Sequence, residues 1–71
     1  MNTQIMIKRS AQSVLHRTDL PREEADQIGA LIANNLSLPG NFEKAAARYN
    51  TTDEFEIGER AAKEYVQLVM A

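Results

Sequence analysis

Residues 53–70 read DEFEIGERAAKEYVQLVM, and this run is the strongest indication of a helical chain. At about 100° per residue its apolar positions share one face, which Ile57, Ala61 and Leu68 widen to about half of the helix surface. The members of that face are Phe55, Gly58, Ala62, Tyr65, Val66 and Val69. A helix packed on one neighbour needs an apolar stripe only about 100° wide. We therefore expect this helix to be covered from two directions. The spacing of Thr51 and Glu54 predicts a capping box at its start.

The last eight residues, EYVQLVMA from Glu64 to Ala71, form an apolar helical run without Lys or Arg. We expect such a run to be buried in the core or against another chain. Its apolar side chains span an arc of about 200°, more than one intramolecular contact covers. This predicts self-association as a homodimer. The predicted self-association residues are Tyr65, Val66, Leu68, Val69 and Met70.

Three turn-forming stretches, at 18–21, 36–41 and 50–52, divide the chain into four helical pieces. The second piece follows Asp19, ends at Leu36 and carries the apolar stripe Ala25, Ile28, Leu31, Ile32 and Leu36. The third runs from Asn41, its predicted N-cap, to Tyr49. The pattern predicts an all-α fold: a small three- to four-helix domain, orthogonal or bundle-like, with the second and fourth helices at its centre.

Gly29 and Gly58 lie inside predicted helices, where each costs about 1 kcal/mol relative to alanine. Each precedes an alanine, Ala33 or Ala62, by four residues. A close crossing with a neighbouring helix would justify that cost. The other interpretation is a glycine that the helix simply tolerates.

The first piece, residues 3–17, places Ile7, Ser10, Ala11, Val14 and Leu15 on one face. Ile5 falls on the opposite side, in line with Arg9, Gln12 and His16, and Met6 falls at the edge. Either residues 3–8 form a short strand, or Ile5 and Met6 face a partner from a helix. The helix is the favoured alternative. The predicted partner-binding residues are Ile5, Met6, Arg9, Gln12 and His16, because an exposed apolar residue beside an arginine is typical of interface anchors.

The length of 71 residues predicts one domain, residues 1–71, with a small core. Small domains often need disulfides, metals or oligomerisation. The chain has no cysteine and one histidine, so disulfides are excluded and no metal site or cofactor is expected. Oligomerisation or a partner is the route left open. No run reaches the ~18 apolar residues of a membrane span, and no signal peptide is evident. We expect a cytoplasmic protein that does not bind membranes.

The chain carries no constellation of acid, base and nucleophile, so we do not expect an enzyme. The leading hypothesis is a protein-binding module: a small regulator, adaptor or inhibitor that docks on a larger protein. The alternative is a nucleic-acid-associated transcriptional regulator that uses the basic N-terminal helix. Its binding residues would be Lys8, Arg9, Arg17 and Arg22. The formal net charge of −2 disfavours this alternative.

Overall fold

The computed structural model describes residues 2–70; Met1 and Ala71, the last residue of the apolar run, lie outside them. The described chain is all-α. Its helices are α1 (Thr3–Leu15), α2 (Arg22–Leu36), α3 (Asn41–Tyr49) and α4 (Glu54–Val69). No helix within residues 2–70 has the length and apolar character needed to cross a membrane. The predicted fold class is confirmed. Residues 3–8 belong to α1, so the strand alternative is wrong.

Helix α1 lies at the centre of the domain, in contrast to the prediction that α2 and α4 do. It packs extensively on α2 and on α4, whereas α2 and α4 touch each other little. Ile7, Ala11 and Leu15 on α1 are fully buried. The prediction placed α2 and α4 at the centre because their apolar stripes are wider than that of α1. It failed because both neighbours pack against the narrower apolar face of α1.

The hydrogen bonds between α1 and α2 show that these helices run antiparallel. Gln4 of α1 donates its side-chain amide to Asn34 near the end of α2. At the other end of α1, His16 lies against Asp26 near the start of α2. Helix α4 runs parallel to α1. Helix α3 contacts both α2 and α4.

Two helical glycines allow α2 and α4 to approach α1 closely. A Cβ on Gly58 would lie 2.0 Å from the Ser10 hydroxyl oxygen and 2.5 Å from the Ile7 carbonyl oxygen. A Cβ on Gly29 would lie 2.4 Å from Cγ of Gln12. All three distances are far shorter than van der Waals contact, so the close-crossing interpretation is confirmed at both positions.

The ends of the helices differ in detail from the predictions. Helix α1 ends at Leu15 rather than residue 17, because the Thr18 hydroxyl donates to the Leu15 carbonyl oxygen at 2.6 Å and closes the chain into a turn. Helix α4 is capped by Asp53, whose carboxylate accepts from the Glu56 amide at 3.1 Å. Thr51 instead accepts from the Asp53 amide. The predicted cap was therefore wrong by two residues.

The start of α3 also differs from the prediction. Its N-cap is Gly40, with φ +82°, and Asn41 is the first helical residue. The Asn41 side chain donates to the Asn35 carbonyl oxygen at 2.7 Å instead of capping its own helix. The left-handed backbone at Gly40 suits glycine, which has no Cβ to clash there. The hydrogen bond from Asn41 to Asn35 ties the start of α3 to the end of α2.

Candidate functional site

An open groove of about 890 Å³ lies between α2, α3 and α4. It lies on the side of the domain where α3, rather than α1, bridges α2 and α4. Most of its lining is apolar. The apolar lining residues are Ile28, Leu31, Ile32 and Leu36 from α2, Leu38 from the connection, Ala45 from α3, and Ala61 and Tyr65 from α4.

Helix α2 supplies four of the eight apolar lining residues. Its small residues Ala25, Gly29 and Ala33 are buried and face α1. Of its large residues, Ile28 and Leu31 lie about 100° or more from Gly29 round the helix, whereas Ile32 and Leu36 lie closer to the small residues. Leu31 lies at the outer edge and is 65% exposed, and Leu38 beyond the helix is 54% exposed. The single stripe expected from the sequence is therefore divided between the core and the groove.

A polar cluster at one side of the groove connects α3 to α4. The Arg48 guanidinium lies 2.8 Å from the Glu64 carboxylate, and the Tyr49 hydroxyl donates to the same carboxylate at 3.4 Å. Burial raises the pKa of the Tyr49 phenol above its ordinary value, and the negative charge of Glu64 raises this pKa further. Arg48 is mostly exposed, so this ion pair contributes little to stability. Its main effect is to orient the groove wall.

Another part of the rim is formed by amides and one cation. Asn34, Asn35, Asn41 and Lys44 line the groove there. Lys44 is exposed, and it makes no ion pair with any group in residues 2–70. The charged side chains that line the groove are thus Lys44, Arg48 and Glu64. Because Glu64 is already paired with Arg48, the rim carries one uncompensated positive charge.

The five predicted partner-binding residues do not act as one free surface. The Gln12 side-chain amide donates to the Asp26 carbonyl oxygen at 2.9 Å, and His16 Nε2 lies 2.6 Å from the Asp26 carboxylate. These two residues therefore hold α1 against α2. Ile5 and Arg9 are exposed and Met6 is half-buried. None of the five lines the groove.

The predicted self-association residues divide into two groups. Tyr65 and Val66 are half-buried and pack against the core. Leu68, Val69 and Met70 are exposed, and Leu68 is 78% exposed. Tyr65 lines the groove, and Leu68 lies three residues further along the same face of α4. Leu68 therefore extends the apolar wall of the groove.

The basic first helix and the acidic fourth helix lie side by side within one chain. A second hollow of about 470 Å³ is lined by Arg9, Ser10 and Ser13 on α1 and by acidic residues of α4 and its cap. Lys8 and Arg9 are adjacent on α1 and therefore about 100° apart round the helix, and Arg17 lies beyond the end of the helix. They do not form a single cationic stripe.

No three His, Cys, Asp or Glu side chains in the described part of the chain lie close enough together to hold a metal ion. Neither a comparison with protein-family models nor searches of curated proteins and of solved structures finds a match to this chain.

Sequence reasoning did not find the groove. Of the ten predicted site residues, only Tyr65 lines it. One signal was available: Leu31 lies at the edge of the α2 stripe and Leu38 lies beyond the helix, so one neighbour could not bury both.

Proposed function

We propose that this chain is a non-enzymatic protein-binding module, a small regulator, adaptor or inhibitor that docks on a larger protein through the groove between α2, α3 and α4. The observation that carries the proposal is the exposure of large apolar side chains along this groove, led by Leu31 and Leu38. Exposed apolar surface that is contiguous and rimmed by polar groups marks interaction sites. Here the rim is supplied by Lys44, Arg48 and Glu64.

A helix of the partner is the occupant that we expect, because most of the apolar side chains that line the groove lie along α2 and α4. A helix laid between α2 and α4 would present apolar residues three and four positions apart to Leu31, Ile32 and Tyr65. Full burial of each leucine contributes about 1.5–3 kcal/mol, so a few anchors suffice for stable docking.

Site-specific photo-crosslinking in the native host tests this proposal. A benzophenone side chain at position 31 lies on the groove, and one at Glu23, an exposed residue on the same helix, serves as the matched control. We expect position 31 to give a discrete adduct with a larger protein, and position 23 to give no such adduct. The adduct should disappear when Leu38→Asp is added, because Leu38 lines the same groove.

The proposal fails if positions 31 and 23 give the same adducts, or if Leu38→Asp leaves the adduct unchanged while circular dichroism shows an intact fold. The alternative, a nucleic-acid-associated regulator, is tested separately by fluorescence anisotropy with duplex DNA. Binding through Lys8, Arg9, Arg17 and Arg22 would weaken steeply with added salt. An absence of binding at low salt would eliminate that alternative.

A further inference from the structure

We propose that the groove is also the site where two copies of this chain pair, each inserting the end of its α4 beside the groove of the other. The inference rests on the proposed docking role of the groove and names one occupant for it. It differs from the dimer expected from the sequence, in which α1 and α4 would meet across the interface. In the structure α1 already packs on α4 within one chain.

Continuity of the apolar surface is the first argument. Ala61 and Tyr65 line the groove, and Leu68 follows on the same face of α4 with 78% of its surface exposed. A two-fold axis near the middle of the groove would place Leu68 of each copy against the far end of the other groove. That end contains Leu31, 65% exposed, and Leu38, 54% exposed. Each copy would thereby cover the most exposed leucines of the other.

Charge complementarity is the second argument. Lys44 on the rim has no ion-pair partner within residues 2–70. The last turn of α4 has no basic residue. The carbonyl groups at the end of a helix carry partial negative charge, which a nearby cation stabilises. The partial negative charge at the end of α4 from a second copy would therefore attract the positive charge of Lys44. A two-fold arrangement makes this contact twice.

A stable pair requires an interface of a certain area. A standard interface buries about 800 Å² on each partner. This is about one sixth of the 4730 Å² surface of the chain. The groove together with Leu68 extends over three of the four helices and the connection at Leu38. Because the pair and a larger protein would use the same groove, self-association would compete with docking.

Sedimentation equilibrium from low micromolar to millimolar concentration tests the inference. We expect a species of twice the 8.0 kDa chain mass. Leu68→Glu should raise the dissociation constant of the dimer at least about 100-fold, because the side chain is lost from both halves of the interface. Gln67→Glu is the matched control, because Gln67 is the adjacent exposed residue. This substitution should change the dissociation constant of the dimer less than about threefold. Lys44→Glu should also weaken the dimer, with the effect decreasing at high salt.

Leu68 is largely exposed in the single chain, so Leu68→Glu should leave the helical circular dichroism spectrum unchanged. If this variant fails to fold, Leu31→Glu on α2 serves in its place. A folded wild-type monomer at millimolar concentration overturns the inference, and so does a dimer that neither leucine substitution weakens.

The photo-crosslink at position 31 separates this inference from the proposed function. A monomer that still forms the groove-dependent adduct with a larger protein would leave the docking function intact. A dimer whose position 31 crosslinks only to a second copy would support pairing and remove the docking function.

Discussion

Replacing Gly58 with alanine tests the packing of α4 on α1 most directly. The new Cβ would lie 2.0 Å from the Ser10 hydroxyl oxygen and 2.5 Å from the Ile7 carbonyl oxygen. The hydroxyl can be displaced by a side-chain rotation. The carbonyl belongs to the backbone of α1, so α4 as a whole must move away. That movement loosens the contacts of its buried neighbours Ile57 and Ala62.

Two opposing effects set how much Gly58→Ala changes the free energy of unfolding. Alanine is favoured over glycine inside a helix by about 1 kcal/mol. Inserting a methyl group into a well-packed core costs about 1–3 kcal/mol, and the contact with a backbone carbonyl argues for the upper end. We therefore expect Gly58→Ala to lower the free energy of unfolding by about 2 kcal/mol. For a domain of this size, Tm should fall by roughly 8–16 °C.

Gly29→Ala provides the matched comparison on the other side of α1. Its new Cβ would meet mainly Cγ of Gln12, at 2.4 Å, and the backbone of α1 lies further away, at 3.2 Å. The Gln12 side chain can rotate, although it then loses its hydrogen bond to the Asp26 carbonyl oxygen. The helix propensity gained and the packing lost should nearly cancel. We expect a stability within about 1 kcal/mol of the wild type.

Urea unfolding followed by circular dichroism at 222 nm (roughly the helical minimum) measures both variants. Adding Ser10→Ala to Gly58→Ala removes the hydroxyl contact and leaves the carbonyl contact in place. The double variant should therefore regain only a small part of the lost stability. A Gly58→Ala protein as stable as the wild type, or more stable, would refute the close packing of α4 on α1.

Three further predictions concern the helix cap, the groove wall and the core. Asp53→Ala should lower the free energy of unfolding by about 1 kcal/mol because it removes the α4 cap, and Thr51→Ala should cost less in the same urea titration. Burial raises the pKa of Tyr49 in the folded state above 10.0, so the neutral phenol contributes stability below pH 10 that is lost as the pH rises through the folded pKa. The free energy of unfolding should be measured at pH 9 and pH 11, about one unit either side of the ordinary tyrosine pKa. Between these pH values it should fall less for Tyr49→Phe than for the wild type. Ile57→Ala should cost about 2–5 kcal/mol since Ile57 is fully buried, whereas Ile5→Ala at the exposed end of α1 should cost less than about 1 kcal/mol by thermal unfolding.

The candidate site was only partly predictable from the sequence. The apolar residues of α2 and α4 that line the groove were recognised as stripes, and Tyr65 was named as an interaction residue. Their division between core and groove was not foreseen, because helical periodicity shows which residues share a face and not which neighbour that face meets. For the same reason Gln12 and His16, expected to face a partner, contact Asp26 of α2 instead.

The sequence alone determined the number of helices and their approximate limits, and it gave close packing at Gly29 and Gly58 as one of two interpretations. These features depend on local properties: apolar periodicity, turn-forming residues such as Pro39 and Gly40, and the missing Cβ of glycine. Only the tertiary structure decided that α1 is central, that Asp53 caps α4, and that α2, α3 and α4 leave a groove open. Those features depend on which side chains meet across helices far apart in the chain, and α1 can hold both neighbours closely because Gly29 and Gly58 let their backbones approach it.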